Sequence, residues 1–120
     1  MPIPKLQTTE ADLREQIRTL CELYGWKMYF TWNSKNSPSG FPDLVLAHSD
    51  ARGHSPGSRG RLIFAELKQD GKVPTPAQQD WLDCLAACGQ ECYVWHPDDI
   101  TEIARLLQPR GNRKRNQEGK

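Results

Sequence analysis

A chain of 120 residues, 37% hydrophobic and 26% charged, can bury one core but not two, and it has no apolar run long enough to cross a bilayer. The expectation is a soluble, cytoplasmic single domain. The net charge of +1 hides an asymmetry: residues 109–120 carry Arg110, Arg113, Lys114, Arg115 and Lys120 against Glu118, leaving 11 basic and 14 acidic groups on residues 1–108. The sequence therefore divides into a domain at 1–108 and a basic tail at 109–120, which is suited to a phosphate backbone or is simply a solvated, disordered end.

Residues 1–7 hold Pro2 and Pro4 and no periodicity. From Thr9 the text becomes helical, with Leu13, Ile17, Leu20, Cys21 and Tyr24 on one stripe, Thr9 and Asp12 spaced as a capping box, and Gly25 as the stop. The aromatic run Trp26 to Trp32 reads as a strand, and Asn33 to Gly40 as a polar loop whose donors could face phosphate.

A second strand is expected over Phe41 to Ala47, with Pro42 at its entrance. Alternation places Asp43, Val45 and Ala47 on one face and Leu44 and Leu46 on the other. His48 to Arg61 is a long Gly/Ser/Arg-rich connection, read as a mobile flap touching nucleic acid through Arg52, Arg59 and Arg61. His48 and His54 read as exposed bystanders, because neither has a partner at metal-ligand spacing.

The third strand runs from Leu62 to Lys68. Pairing Ala47 with Leu62 in an antiparallel ladder sets Asp43 opposite Glu66, with Lys68 on the same face. Thr75 and Pro76 open a second helix, where Gln78, Trp81, Leu82, Leu85 and Cys88 form a stripe ended by Gly89. Gln78 is the polar exception on that inward stripe and is expected at the Lys68 end of the strands; a first-turn residue touching water is the plainer reading. A strand over Glu91 to His96 and a helix over Asp98 to Leu107 complete the order αβββαβα. That order predicts an α/β sandwich around a mixed sheet of about four strands, entered last through a crossover helix.

Four cysteines, Cys21, Cys84, Cys88 and Cys92, lack the paired C-x2-C knuckles of structural zinc. All four read as buried, reduced thiols, with Cys21 and Cys88 on apolar helix faces.

Asp43 and Glu66 side by side offer hard oxygen ligands of the type Mg2+ or Mn2+ takes. Lys68 could orient a water and counter charge on a phosphate, and Gln78 could fix either by hydrogen bonds. A Glu66–Lys68 salt bridge would explain the pair without any chemistry.

Three motifs, P-D at Pro42-Asp43, E-L-K at Glu66 to Lys68, and P-x-Q-x-x-W-L at Pro76 to Leu82, resemble the PD-(D/E)XK nuclease superfamily. Within it they are similar to the VRR-NUC family of small, often phage-encoded stand-alone proteins, which also supplies the nuclease module of the Fanconi-associated nuclease. The resemblance covers residues 9–107. It implies a restriction-endonuclease-like sandwich that cleaves DNA with Mg2+ or Mn2+, in the host cytoplasm if phage-encoded. It implies Asp43 and Glu66 as metal ligands, the Leu67 carbonyl as a further ligand, Lys68 as the catalytic lysine and Gln78 as the motif glutamine. A first-helix glutamate of the family falls on Glu10, with Glu15 as the alternative; a glutamate favourably placed at the helix dipole would equally explain Glu10. The insertion at 48–61 departs from the compact family pattern. Small stand-alone relatives resemble Holliday-junction resolvases, which implies branched DNA and a homodimer with two opposed sites. A non-catalytic DNA-binding module on a nuclease fold is the competing reading.

Overall fold

The structure, a computed structural model, describes residues 8–32, 36–51, 57 and 59–109. Expectations for the lead-in, for Arg52 and His54, and for the tail beyond Pro109 lie outside those residues. Helix α1 (Glu10–Tyr24) starts at Thr9, whose hydroxyl accepts the Asp12 N–H while the Asp12 carboxylate takes the Thr9 N–H. It ends where Gly25 turns left-handed at φ 86°, a conformation that glycine adopts without a Cβ penalty. Leu13, Ile17 and Cys21, spaced one turn apart, are its buried stripe.

Four strands follow in the expected order: β1 (Lys27–Phe30), β2 (Leu44–His48), β3 (Arg61–Leu67) and, after helix α2 (Pro76–Ala87), β4 (Glu91–Trp95). A 3-10 turn at Pro97–Asp99 leads into α3 (Ile100–Leu107). The sheet order is β1-β2-β3-β4, antiparallel for the first two pairings and parallel for the last. The parallel pair is joined by α2, as a crossover requires.

Alternation along the strands divides the sheet into two faces. Leu44, Leu46, Ile63, Ala65, Leu67 and Trp95 point one way, and pack with α1 and with Ile103 and Leu107 of α3. This is the main core. On the other face Phe64 meets Phe41, which meets Trp81 of α2, with ring centroids 6.1 and 5.0 Å apart. Only Leu82 of α2 is buried, so this second layer is thin.

Three expectations change. Cys84 and Cys88 are exposed rather than packed, because the thin layer under α2 leaves its last turn in solvent. Cys21 is the buried thiol, and burial pushes its pKa up to about 11, which keeps it protonated. Arg61 is not a loop residue reaching for nucleic acid. It starts β3 and donates from Nε to Glu91 Oε1 at 2.8 Å and from Nη1 to the Leu106 carbonyl at 2.9 Å, with Nη2 on Glu91 Oε2. His48 is likewise no bystander: Nδ1 accepts the N–H groups of Asp50 and Ala51 at 3.1 and 3.0 Å while Nε2 faces the Tyr24 carbonyl at 2.9 Å. The imidazole ties the start of the connection to the end of α1. Arg59 remains on the surface, 3.3 Å from Asp50.

Candidate active site

The register expected from sequence is the one observed, with Ala47 opposite Leu62 and Leu44 opposite Ala65. Continuing that ladder by one residue sets Asp43 opposite Glu66, on the face shared with α2. Strand β2 begins after Asp43 rather than at Phe41, since Pro42 has no N–H to give a ladder. Asp43 instead joins through its side chain: Oδ2 accepts the Leu67 N–H at 2.9 Å, and its carbonyl accepts the Thr31 N–H at 2.8 Å. The carboxylate is thereby fixed against β3.

The approach to Asp43 is set by Gly40. Its φ of 97° lies in the left-handed region, and a Cβ there would sit 2.6 Å from the Ala77 carbonyl oxygen. The segment G-F-P-D can therefore lie against the first turn of α2 only because residue 40 has no side chain.

Glu66 is 1% exposed. Its Oε2 lies 3.9 Å from Lys68 Nζ, a charge contact too long for a hydrogen bond, and its Oε1 is buried with no hydrogen-bond partner among the described residues. Burial, and then the nearby Asp43 charge, push its pKa up to about 8 against the opposing pull of Lys68. Two carboxylates share a dry site with one lysine, so a salt bridge alone leaves the charge uncompensated.

Hard divalent cations suit this donor set. Glu66 Oε1 has no hydrogen-bond partner among the described residues and lies beside a second carboxylate, and Mg2+ is commonly held by one or two carboxylates with waters and substrate phosphate completing the shell. Leu67 adds a third oxygen on the same side. Its N–H points at Asp43, and in an extended strand a residue's N–H and C=O face one way, whereas the Lys68 N–H turns to the Trp95 carbonyl at 3.0 Å.

Glu10 is exposed at the start of α1. It lies one turn before Arg14, whose guanidinium stacks 4.1 Å over the Phe30 ring, so it belongs to the carboxylate end of the molecule. It is not gathered with Asp43 and Glu66, for among the described residues no three His, Cys, Asp or Glu side chains form a group that could hold a metal. Glu15 pairs with Arg18 at 3.3 Å instead.

Gln78 has a local occupation that the sequence reading overlooked. Its Oε1 accepts the Thr75 N–H at 2.8 Å while its own N–H donates to Thr75 Oγ1 at 3.3 Å. This is a capping box, and T-P-A-Q spells its signature. The half-buried amide thus has a structural reason to be there, and only its Nε2 donors are left for any further role.

Thr31 was missed altogether. Phe30 pairs with Leu44, so Thr31 falls beside Asp43 and completes a row Thr31–Asp43–Glu66 across three strands. Its Oγ1, like Glu66 Oε1, is buried without a partner among the described residues. Alternation already put Thr31 on the face of Tyr29, but nothing in the sequence sets the β1–β2 register across the loop at 33–40. A larger cavity of about 620 Å³, lined by Lys27, His48, Arg61 and Glu91 among others, opens at the opposite end of the strands and takes no part in this row.

Compared by sequence, the chain matches no family model and no curated protein. Compared by structure, it is similar to a solved chain described as a VRR_NUC domain, with a TM-score of 0.60 and 19% identity over 83% of this chain and 95% of that one. A second, described as a VRR_NUC domain protein, gives 0.57 and 23% identity over 87% and 89%.

Proposed function

We propose that this chain, which has the fold of VRR-NUC domains, is a metal-dependent nuclease that hydrolyses DNA phosphodiesters at Asp43, Glu66 and Lys68. The observation that carries the reading is the buried, partnerless Glu66 Oε1 beside Asp43 on the fold of nucleases, an arrangement that packing does not require. Asp43, Glu66 and the Leu67 carbonyl would hold Mg2+ or Mn2+. A divalent ion there supplies Lewis acidity toward a phosphoryl oxygen and makes water acidic enough to attack near neutral pH.

The protein's own groups do the rest. The Leu67 N–H fixes the Asp43 rotamer, and Glu66 is held by burial within a strand, so neither carboxylate needs to reorganise when substrate arrives. Lys68, half-buried at the strand end and 3.9 Å from Glu66, would orient the attacking water and offset charge growing on the phosphate. Gln78 keeps α2 started at the correct residue and has its amide donors left for phosphate or for Lys68. Glu10, at the same end, would join only after a shift of the first turn of α1.

Branched DNA as substrate, and a homodimer presenting two sites to opposed strands, belong to this proposal, with the basic segment 109–120 supplying phosphate contacts. Labelled junction, flap, duplex and single-stranded DNA incubated with Mg2+ or Mn2+, then with chelator, test it. Product formed only with metal is expected, with junction or flap cut in preference. Retention of DNA without product under every condition would establish the non-catalytic binder instead.

A further inference from the structure

The row of Thr31, Asp43 and Glu66 continues sideways into a second cavity. Tyr29, Thr31, Trp32, Phe41 and Trp81, among others, line about 360 Å³ between the end of β1 and the exposed flank of α2. That volume lies at the small end of the range for ligand sites. Its lining is unusual for a surface that none of the described residues covers: Tyr29 is 61% and Trp32 78% exposed. Large aromatics left in water next to a buried, partnerless hydroxyl are not accounted for by core packing.

We propose that this pocket receives one unstacked nucleobase of the strand whose phosphate lies at Asp43 and Glu66, which favours, among branched substrates, those with a single-stranded or splayed arm. The inference rests on the nuclease reading for the position of that phosphate. Three features converge on it. The pocket is continuous with the site, because Thr31 lines it and also donates its N–H to the Asp43 carbonyl, one strand spacing of about 5 Å from the carboxylate row. Tyr29, Trp32, Phe41 and Trp81 in its lining are aromatic, and a base stacks on an aromatic ring regardless of sequence. A cation stands at the same end of β1, on the sheet's other face: Arg14 lies over Phe30, and Phe30 meets Trp32 edge to face at 5.5 Å. A base kept in a duplex stack could not enter, and a terminal, flapped or flipped base could.

The test uses the full chain in chelator, so that binding is read apart from cleavage. Anisotropy of a labelled single-stranded oligonucleotide should show Trp32→Ala binding about tenfold more weakly than wild type, with Trp32→Phe restoring most of the affinity. Blunt duplex affinity should change by no more than about twofold in the same variants, since its bases stay stacked. In a second measurement, 2-aminopurine next to the phosphate that is cut should be quenched on binding wild type and less so on binding Trp32→Ala. Single-strand affinity unaltered in Trp32→Ala and Tyr29→Ala, an equal loss for single strand and duplex, or no single-strand binding by wild type would each overturn the pocket. Metal-dependent cleavage surviving any of those results would leave the nuclease reading standing; Trp32-dependent single-strand binding without cleavage would leave the pocket standing and remove the enzyme.

Discussion

Glu66 is the residue at which packing and chemistry disagree most. A carboxyl group withdrawn from water beside another carboxylate prefers its proton, and its pKa rises from 4.5 to about 8. Between those values the metal-free folded protein binds a proton that the unfolded chain releases, so stability must fall as pH rises across that window. Denaturant midpoints measured from pH 5 to 8 should decline for wild type and decline less for Glu66→Gln, which is neutral throughout; equal slopes would remove the strained carboxylate. Gln78 shows the reverse case, a residue that looked functional and has a structural use. Gln78→Glu preserves the capping box, so its thermal midpoint should stay close to wild type, while Gln78→Ala should lose about 1 kcal/mol. Slower cleavage by a stable Gln78→Glu would assign its amide donors to the site, and a large loss of stability in that variant would contradict the cap.

At the scale of elements, the β2–β3 register followed from assuming Ala47 opposite Leu62, and apolar alternation supports its parity, since only ladders of that parity bury Leu44, Leu46, Ile63 and Ala65 together. The same logic could not find the partner of Arg61. That side chain meets Glu91 only after α2 carries the chain across to a parallel strand, and a separation of thirty positions hides the pair among basic loop residues. Cys88 was misplaced for a related reason: helical spacing tells which residues share a face, whereas the width of the sheet beneath decides how many are covered. The Arg61–Glu91 contact joins β3, β4 and α3 at the end of the sheet remote from Asp43. Glu91→Ala would leave a buried guanidinium uncompensated and should cost about 3 kcal/mol in urea unfolding. Arg59→Ala, at an exposed pair, should change stability by less than about 0.5 kcal/mol. Comparable losses in the two variants would mean that the buried pair holds nothing together.

The whole molecule is polarised along its strands. One end is closed by Arg61, Glu91 and His48, whose hydrogen bonds are satisfied within the fold; the other carries Asp43, Glu66, Thr31 and Lys68, two of whose buried oxygens lack partners among the described residues. Natural folds concentrate such unsatisfied groups where a ligand completes them. No helix among the described residues is long and apolar enough to cross a membrane. The likeness to VRR-NUC domains, at 19% and 23% identity, is a likeness of fold, which survives where a comparison by sequence matches no family model. The most direct measurement is cleavage of labelled branched DNA in Mg2+ by wild type beside Glu66→Gln and Lys68→Ala, each shown folded by circular dichroism. The proposal predicts cutting by wild type and a loss of about a hundredfold or more in both variants. Variants that cut as fast as wild type would contradict it.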